Sequence, residues 1–552
     1  MSAASPQFNL VSTPLERGVT LLEASAGTGK TYNLAGIVLR LLVEPVPGAE
    51  EPLRIEQIVV VTFTEAATAE LRERIRSRIV EAIAVLETGA STDGLLQRWL
   101  TEMPANSPER ERARRRLEIA RRNFDLATIC TIHGFSQRVL RDRAFESGAL
   151  FDVELVTDQS ELIQAATDDW WRKNFGEASP LHAAFAARAK LSPSGLAGLV
   201  KSVLRYPDLR VVTDAGEQGA AELWGELQCK FADAGKLWKT DRAKLRAHFG
   251  AAAKWANKPF NRDAEMDAAF AAVDRLFAGN VGSVELESLL GFGQSLILAA
   301  EKKKQPGTAP HHTFFTLCDE LRRLAKLWAV AVQREGAEAI REQLAADKLE
   351  RKVQSFDDLL TRTRTALRSP AGPALVAGVR RSFGAALIDE FQDTDPVQWE
   401  IFSRLFGPDE TSHEPAPLLF LIGDPKQAIY GFRGADVFTY LEAAETAARR
   451  YSLATNFRSE RPLVQAVNAV FDGRDDAFVI DGIRFEPVAA ADRAEATPLK
   501  LEDKRPESLV FWMVPREDDG KVVDKRVAER AIIASVGGEI LRLLSGVATV
   551  DG

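Results

Sequence analysis

The chain has 552 residues, 45% of them apolar, and a formal net charge of −8, which gives length for roughly three to four domains with large buried cores. Cys130, Cys229 and Cys318 lie far apart and form no C-x-x-C pair, so neither a disulfide framework nor a zinc site is expected, and a reducing compartment fits. The N-terminus lacks a basic stretch followed by an apolar core, and no uncharged apolar run reaches membrane-spanning length, so a cytoplasmic protein without a membrane partner is expected.

Residues 1–18 are polar and turn-rich. Gln7 and Phe8 stand where they can edge or stack on an adenine; a loose N-terminal arm fits them equally. Val19-Thr20-Leu21-Leu22 reads as a strand and Tyr32 to Leu42 as a helix. Between them lies Ala24-Ser25-Ala26-Gly27-Thr28-Gly29-Lys30-Thr31. In a strand–glycine turn–helix context, backbone N–H groups cradle phosphate oxygens. Lys30 is placed to reach the β- and γ-phosphates of a nucleoside triphosphate, and the Thr31 hydroxyl to hold Mg²⁺. The usual pattern begins with Gly; here that position is Ala24, while the Gly-Lys-Thr core is intact.

Residues 57–64 form a continuous β-branched run, the mark of a buried parallel strand, followed by a helix from Glu65 into Arg72, Arg74, Arg76 and Arg78. A strand ending in Thr62-Phe63-Thr64 at a helix N-terminus can hold a DNA phosphate, with Phe63 stacking on a base; a core Phe beside a surface helix is the alternative. Residues 91–125 are charged and helical, as a solvated face is. Residues 127–132 are another short strand, ending at His133, which lacks metal-ligand partners nearby in sequence and reads as a polar contact to DNA or to the phosphate-loop layer.

From about 151 to 345 the strand–helix alternation stops. Ala-, Leu-, Glu-, Lys- and Arg-rich stretches punctuated by Trp170, Trp171, Trp224, Trp238, Trp255 and Trp328 suggest a helical insertion. Lys236, Lys239, Lys244 and Lys302-Lys303-Lys304 fit phosphate contacts or a solvated helix face equally. His311 and His312 read as surface residues.

Alternation resumes near Ser355. Ala385-Ala386-Leu387-Ile388 ends in Asp389-Glu390, so Asp389 can coordinate Mg²⁺ and Glu390 can polarise the water that attacks a γ-phosphate. Leu418–Gly423 is a third buried strand, ending in Asp424-Pro425-Lys426-Gln427. The Gln427 amide can contact a γ-phosphate or the attacking water. Tyr430, Phe432 and Arg433 on the following Gly-flanked loop suit coupling of nucleotide state to DNA bases, with aromatic core packing as the alternative. A further unit is expected from 441, with a helix over 461–471, Arg458 as an arginine finger, a strand at Leu509–Val514 and a helix from Arg526 to Leu541.

Six ordered blocks carry a resemblance: Ala24–Thr31, Val60–Glu70, Thr131–Gln137, Asp389–Pro396, Gly423–Asp436 and Thr455–Ser459. They resemble superfamily 1 helicases of the UvrD/Rep type. The wording EASAGTGKT, VVTFTEAATAELR, TIHGFSQR and FESG (145–148) is similar to the helicase subunit of RecBCD-type helicase–nucleases. The resemblance implies an α/β, P-loop fold: a RecA-like parallel-sheet lobe in two parts (1–150 and 346–440), an all-helical insertion (151–345) touching duplex DNA, and the start of a second RecA-like lobe (441–552). It implies a 3′→5′ motor on single-stranded DNA driven by ATP with Mg²⁺, acting in double-strand-break repair with RecC-like and RecD-like subunits. It carries Lys30, Thr31, Asp389, Glu390, Gln427, Arg433 and Arg458 to the nucleotide site, and Phe63, Thr64, His133, Tyr430 and Phe432 towards DNA. No later helicase block follows Ser459, and the family's nuclease domain is missing. The chain is therefore expected to be an N-terminal portion that binds ATP weakly at best and neither unwinds nor cuts DNA alone. A UvrD-like or AddAB-type repair helicase and a non-catalytic DNA- or partner-binding scaffold are the competing readings.

Overall fold

The computed structural model describes residues 5–147, 153–214, 216–251, 253–408, 415–431, 434–472, 474, 477–492, 499–501, 506–514, 516 and 522–550. The chain divides into two compact units, residues 1–151 with 358–552, and residues 152–357.

In the first unit, β1 (Gly18–Ala24) runs into α1 (Lys30–Val43), and β2 (Ile58–Thr62) into α2 (Glu65–Thr88). Thr64 caps α2 by accepting from Ala67 N at 3.1 Å, a contact worth about 1 kcal/mol. Two further helices, Gly94–Glu102 and Pro108–Arg122, lead to β3 (Thr128–Thr131) and the helix Ile132–Asp142.

The second unit is helical except at its ends, where β4 (Glu154–Val156) pairs parallel with β5 (Val353–Ser355). This corrects the expectation of an all-helical insertion. The helix Thr313–Glu350 continues past 345, and the β4–β5 ladder extends the unit to 357. Its core packs the helix Ala220–Ala247 against Thr313–Glu350, with Trp238 buried among phenylalanines and Trp328 buried against His182 and Trp224. Lys236 and Lys244 pair with Asp233 and Asp241 one helical turn away. The Lys302 ammonium donates to Lys254 O. His312 caps Thr313–Glu350 through Nδ1 and faces Asp241 at 3.4 Å through Nε2.

The first unit then resumes with β6 (Ala385–Ile388), β7 (Leu418–Gly423), β8 (Arg449–Leu453) and β9 (Thr455–Asn456). The main sheet has the order β3-β2-β6-β7-β1-β8, every pairing parallel. Period-two alternation sends its apolar side chains to two separate cores. Leu22, Ile58, Val60, Leu387, Phe420 and Ile422 face the layer of α1, α2 and Pro108–Arg122. Leu21, Val59, Val61, Ile388, Leu419 and Leu421 face the layer of Ile132–Asp142 and Pro396–Phe406. Both faces being covered is why these strands read as unbroken apolar runs. Each such fully buried branched side chain contributes roughly 1.5–3 kcal/mol.

Two expectations change here. Residues 449–453, placed with the next unit, form the sixth strand of this sheet against β1. As an edge strand, β8 begins with Arg449-Arg450 and lacks the apolar signature. Leu509–Val514 forms no strand and its side chains are exposed. The helices Arg461–Phe471 and Lys525–Arg542 form where expected.

Candidate active site

With every strand of the main sheet parallel, the C-terminal ends of β1, β2, β3, β6 and β7 open on one edge, where ligands of such sheets bind. The loop after β1 is held by glycine geometry. Gly27 and Gly29 have φ of 80° and 82°, a region that a Cβ disfavours. Thr28 folds back on Ser25 O through both N (3.2 Å) and Oγ1 (2.7 Å). Gly29 is the N-cap of α1, no side chain caps that terminus, and its first turn carries no acid. The unpaired N–H groups of that turn therefore form an anion site at the positive end of the helix.

Lys30 Nζ stands 2.5 Å from Glu390 Oε2, so the lysine meant for phosphate is paired with the acid meant for water. Asp389 N donates to Val61 O at 2.9 Å, which extends the ladder one residue beyond β6 and fixes the carboxylate's backbone. Glu390 takes φ 51°, ψ 42°, a left-handed conformation costly for a side-chain-bearing residue. Its Oε2 also accepts from Gln392 Nε2 at 2.8 Å, and Gln392 Oε1 accepts from Asp424 N at 2.9 Å. Burial first, then the neighbouring Glu390 charge, pushes the Asp389 carboxyl up to about 6, against the pull of Lys30. Such a buried anion beside a second carboxylate gains from a divalent cation. Among the described residues no cluster of three or more His, Cys, Asp or Glu could hold a metal alone. Mg²⁺ needs only one or two protein ligands when water and phosphate complete its shell. Asp389 and Thr31, at the second position of α1, are the residues that would hold it.

Gln427 lies in the turn Pro425–Gln427, with its Nε2 donating to Asp424 Oδ2 at 2.8 Å. Arg458 is exposed beside the phosphate loop: a Cβ on Gly27 would lie 2.8 Å from its Cβ. Gln7 bridges to Ser452 of β8 and is itself exposed, while Phe8 is buried edge-on to Tyr451. The N-terminal segment is thus tied to β8 by an isolated bridge and is not a loose arm, and the Phe8 ring is buried. Phe63 and Tyr430 stack on each other, centroids 6.1 Å apart and planes 21° apart. Thr64 is exposed at the start of α2, and His133 is half-buried in the first turn of Ile132–Asp142. Phe432 and Arg433 lie outside the described residues.

Three features were missed from sequence. Asn456 reaches across to the phosphate loop: Nδ2 donates to Ala26 O at 3.0 Å, and Oδ1 accepts from Arg458 N and Ser459 N at 2.9 Å each. Phe457 N donates to Gly27 O at 2.7 Å, and its partly exposed ring lies against Gly29. Lys426 sits between Glu23 and Asp424. The block Thr455–Ser459 covers the first two and the block Gly423–Asp436 covers Lys426, but neither shows which partner the side chain reaches.

A phosphate loop after β1, a carboxylate pair ending β6 two strands away and a glutamine just past the neighbouring β7 are the layout of a P-loop fold with a RecA-like sheet. The family model for the UvrD/REP helicase N-terminal domain matches residues 5–448. The chain therefore belongs to the UvrD/REP helicase family. It is 36% identical to the RecBCD enzyme subunit RecB of Escherichia coli over 534 residues, covering 94% of this chain and 43% of that protein. To the RecB subunit of Haemophilus influenzae it is 33% identical over 535 residues (88% and 42%), and to that of Mycobacterium tuberculosis 32% over 459 (83% and 30%). The chain thus spans less than half the length of these relatives. Among the described residues no helix is long and apolar enough to cross a membrane.

Proposed function

We propose that this chain carries the ATP-hydrolysing motor of a RecB-like DNA helicase, moving 3′→5′ on single-stranded DNA within a RecBCD-type enzyme. Partners would be RecC-like and RecD-like subunits, and the task cytoplasmic repair of double-strand breaks. The observation that carries the reading is the Lys30–Glu390 pair, closed across 360 residues of sequence at the mouth of the phosphate loop. An ATP γ-phosphate entering the loop takes Lys30 away from Glu390. The released carboxylate then stands as the base for an attacking water, and Gln392 keeps it oriented. Thr31 and Asp389 would hold Mg²⁺, which would supply charge neutralisation of the phosphates. Gln427 and Arg458 approach from neighbouring elements as γ-phosphate contacts, with Arg433 assigned there by family resemblance. Phe63 and Tyr430 present the aromatic pair for DNA bases, with Thr64 and His133 alongside and Phe432 on the same loop by resemblance. Gln7, exposed at the N-terminal bridge to β8, is the candidate contact for the edge of the adenine.

The test is equilibrium binding of a fluorescent ATP analogue with Mg²⁺ to this chain, alongside DNA-stimulated ATP turnover by the intact protein. Lys30→Ala should weaken binding by at least about tenfold and abolish turnover. Unchanged turnover in Lys30→Ala would refute the site.

A further inference from the structure

Among the described residues outside the groups assigned above, a largely buried charged cluster lies at the same sheet edge. Register places Glu23, the next-to-last residue of β1, opposite Gly423, the last residue of β7. Lys426, one turn beyond β7, puts its ammonium 2.6 Å from Glu23 Oε1 and 2.8 Å from Asp424 Oδ1. The Lys426 side chain is 10% exposed and that of Asp424 3%. Asp424 divides its carboxylate. Oδ1 takes the Lys426 ammonium and the Lys426 backbone N–H, while Oδ2 takes Gln427 Nε2 at 2.8 Å. On the other side, Asp424 N is held by Gln392, which also holds Glu390. One lysine thus ties the strand feeding the phosphate loop to the residue that aims Gln427.

We propose that Lys426 is a positioning residue, coupling the phosphate loop to Gln427 by fixing Asp424 and through it the Gln427 amide. The role rests on the ATPase reading of this site. Electrostatics agree with the geometry. Burial lifts the Glu23 carboxyl further than Lys426 lowers it, whereas at Asp424 burial is outweighed by the charge and hydrogen bonds of Lys426 together with the Gln427 hydrogen bond, which hold it low. Lys426 in turn stays charged despite its burial because both carboxylates face it. The nearby Tyr440 phenol, pushed well up by burial and then by these two acids, remains neutral and supplies no compensating charge. Without Lys426, nothing pins Asp424 Oδ1 to Glu23, and the carboxylate that accepts from Gln427 Nε2 is free to turn. The consequence is a misaimed Gln427 with the phosphate loop still formed, which reads as a loss in kcat with little change in KM.

The experiment measures DNA-stimulated ATP turnover by the intact protein in a double-mutant cycle of Lys426→Met with Gln427→Ala, with Lys30→Ala as reference. Lys426→Met should lower kcat by roughly 10–30-fold with KM for ATP within about threefold, and the double variant should be no slower than Gln427→Ala alone. Lys426→Arg should recover most of the loss, which a purely structural role would show only as a change in thermal stability. If Lys426→Met does not fold, Glu23→Gln keeps the shape and loosens the same tie: a drop of about 3–10-fold, absent on the Gln427→Ala background, is expected. Additive losses, or unchanged kcat in both variants, overturn the role of Lys426 while Lys30→Ala remains dead. Turnover surviving in Lys30→Ala overturns the ATPase reading and this role together.

Discussion

Gly27→Ala should break the contact between the phosphate loop and the 455–459 segment, and Gly29→Ala should not. Both glycines are left-handed, at φ 80° and 82°, and an alanine at either costs about 1–2 kcal/mol in backbone strain. They differ in what a Cβ meets. At Gly27 it lies 2.8 Å from Arg458 Cβ and 2.9 and 3.0 Å from the Asn456 amide; at Gly29 the nearest atoms are at 3.6 Å. The cheapest relief at Gly27 is to push 456–458 away, which gives up the bonds Asn456 Nδ2 to Ala26 O and Phe457 N to Gly27 O. At about 0.5–1.5 kcal/mol each, that loss is about 1–3 kcal/mol. The assay is amide hydrogen exchange at Phe457 in the nucleotide-free chain, a local probe that does not require two-state unfolding. Protection should fall by roughly 5–100-fold in Gly27→Ala, since each 1.4 kcal/mol is a decade, and by much less in Gly29→Ala. Equal loss in both variants, or none in Gly27→Ala, would refute the reasoning.

Further outcomes follow from the same geometry. Glu390→Gln should free Lys30 from its ion pair; with Glu390 38% exposed, solvent screening limits the pair to about 0.5–1 kcal/mol, so binding of the fluorescent ATP analogue should tighten roughly 2–5-fold. Asp389→Asn should stabilise the nucleotide-free protein at pH 7.5. The native carboxyl titrates near 6 against an ordinary 3.8, so its stability contribution is fully present below about pH 4 and lost as pH rises through 6. The variant's gain, about 1–3 kcal/mol by denaturant titration, should vanish by about pH 4. For the same reason, Mg²⁺-dependent nucleotide binding by the wild type should weaken as pH falls below about 6. Phe63→Ala should weaken single-stranded DNA binding roughly 5–100-fold, measured by fluorescence anisotropy with an oligonucleotide, because it removes one face of the stacked pair; unchanged affinity would place the pair in packing alone.

What the sequence disclosed, and what it hid, divides along local pattern. The strands β2, β6 and β7 are legible because both faces are buried, which leaves no polar position to interrupt Ile58–Val61 or Leu418–Ile422. The phosphate loop is legible because its chemistry is contiguous. β8 is not, since an edge strand tolerates Arg449 and Arg450, whose neighbours are set by pairing with β1 more than 400 residues earlier. Leu509–Val514 misleads in the converse way: a short apolar run does not by itself specify a strand. The Glu23–Lys426 tie and the Asn456 contact join residues at opposite ends of the chain, and no periodicity records such a meeting. Phe8 carries the same lesson on a smaller scale, because its place against Tyr451 depends on the N-terminal bridge to Ser452.

If Lys30 and Glu390 form one hydrolytic site, binding and cleavage are separable there. The most direct test is to measure Mg²⁺–ATP affinity and DNA-stimulated turnover together in Glu390→Gln of the intact protein. The account predicts affinity equal to or a few-fold above wild type, with turnover reduced by at least about a hundredfold. Turnover near the wild-type rate, or binding lost in step with it, would contradict it.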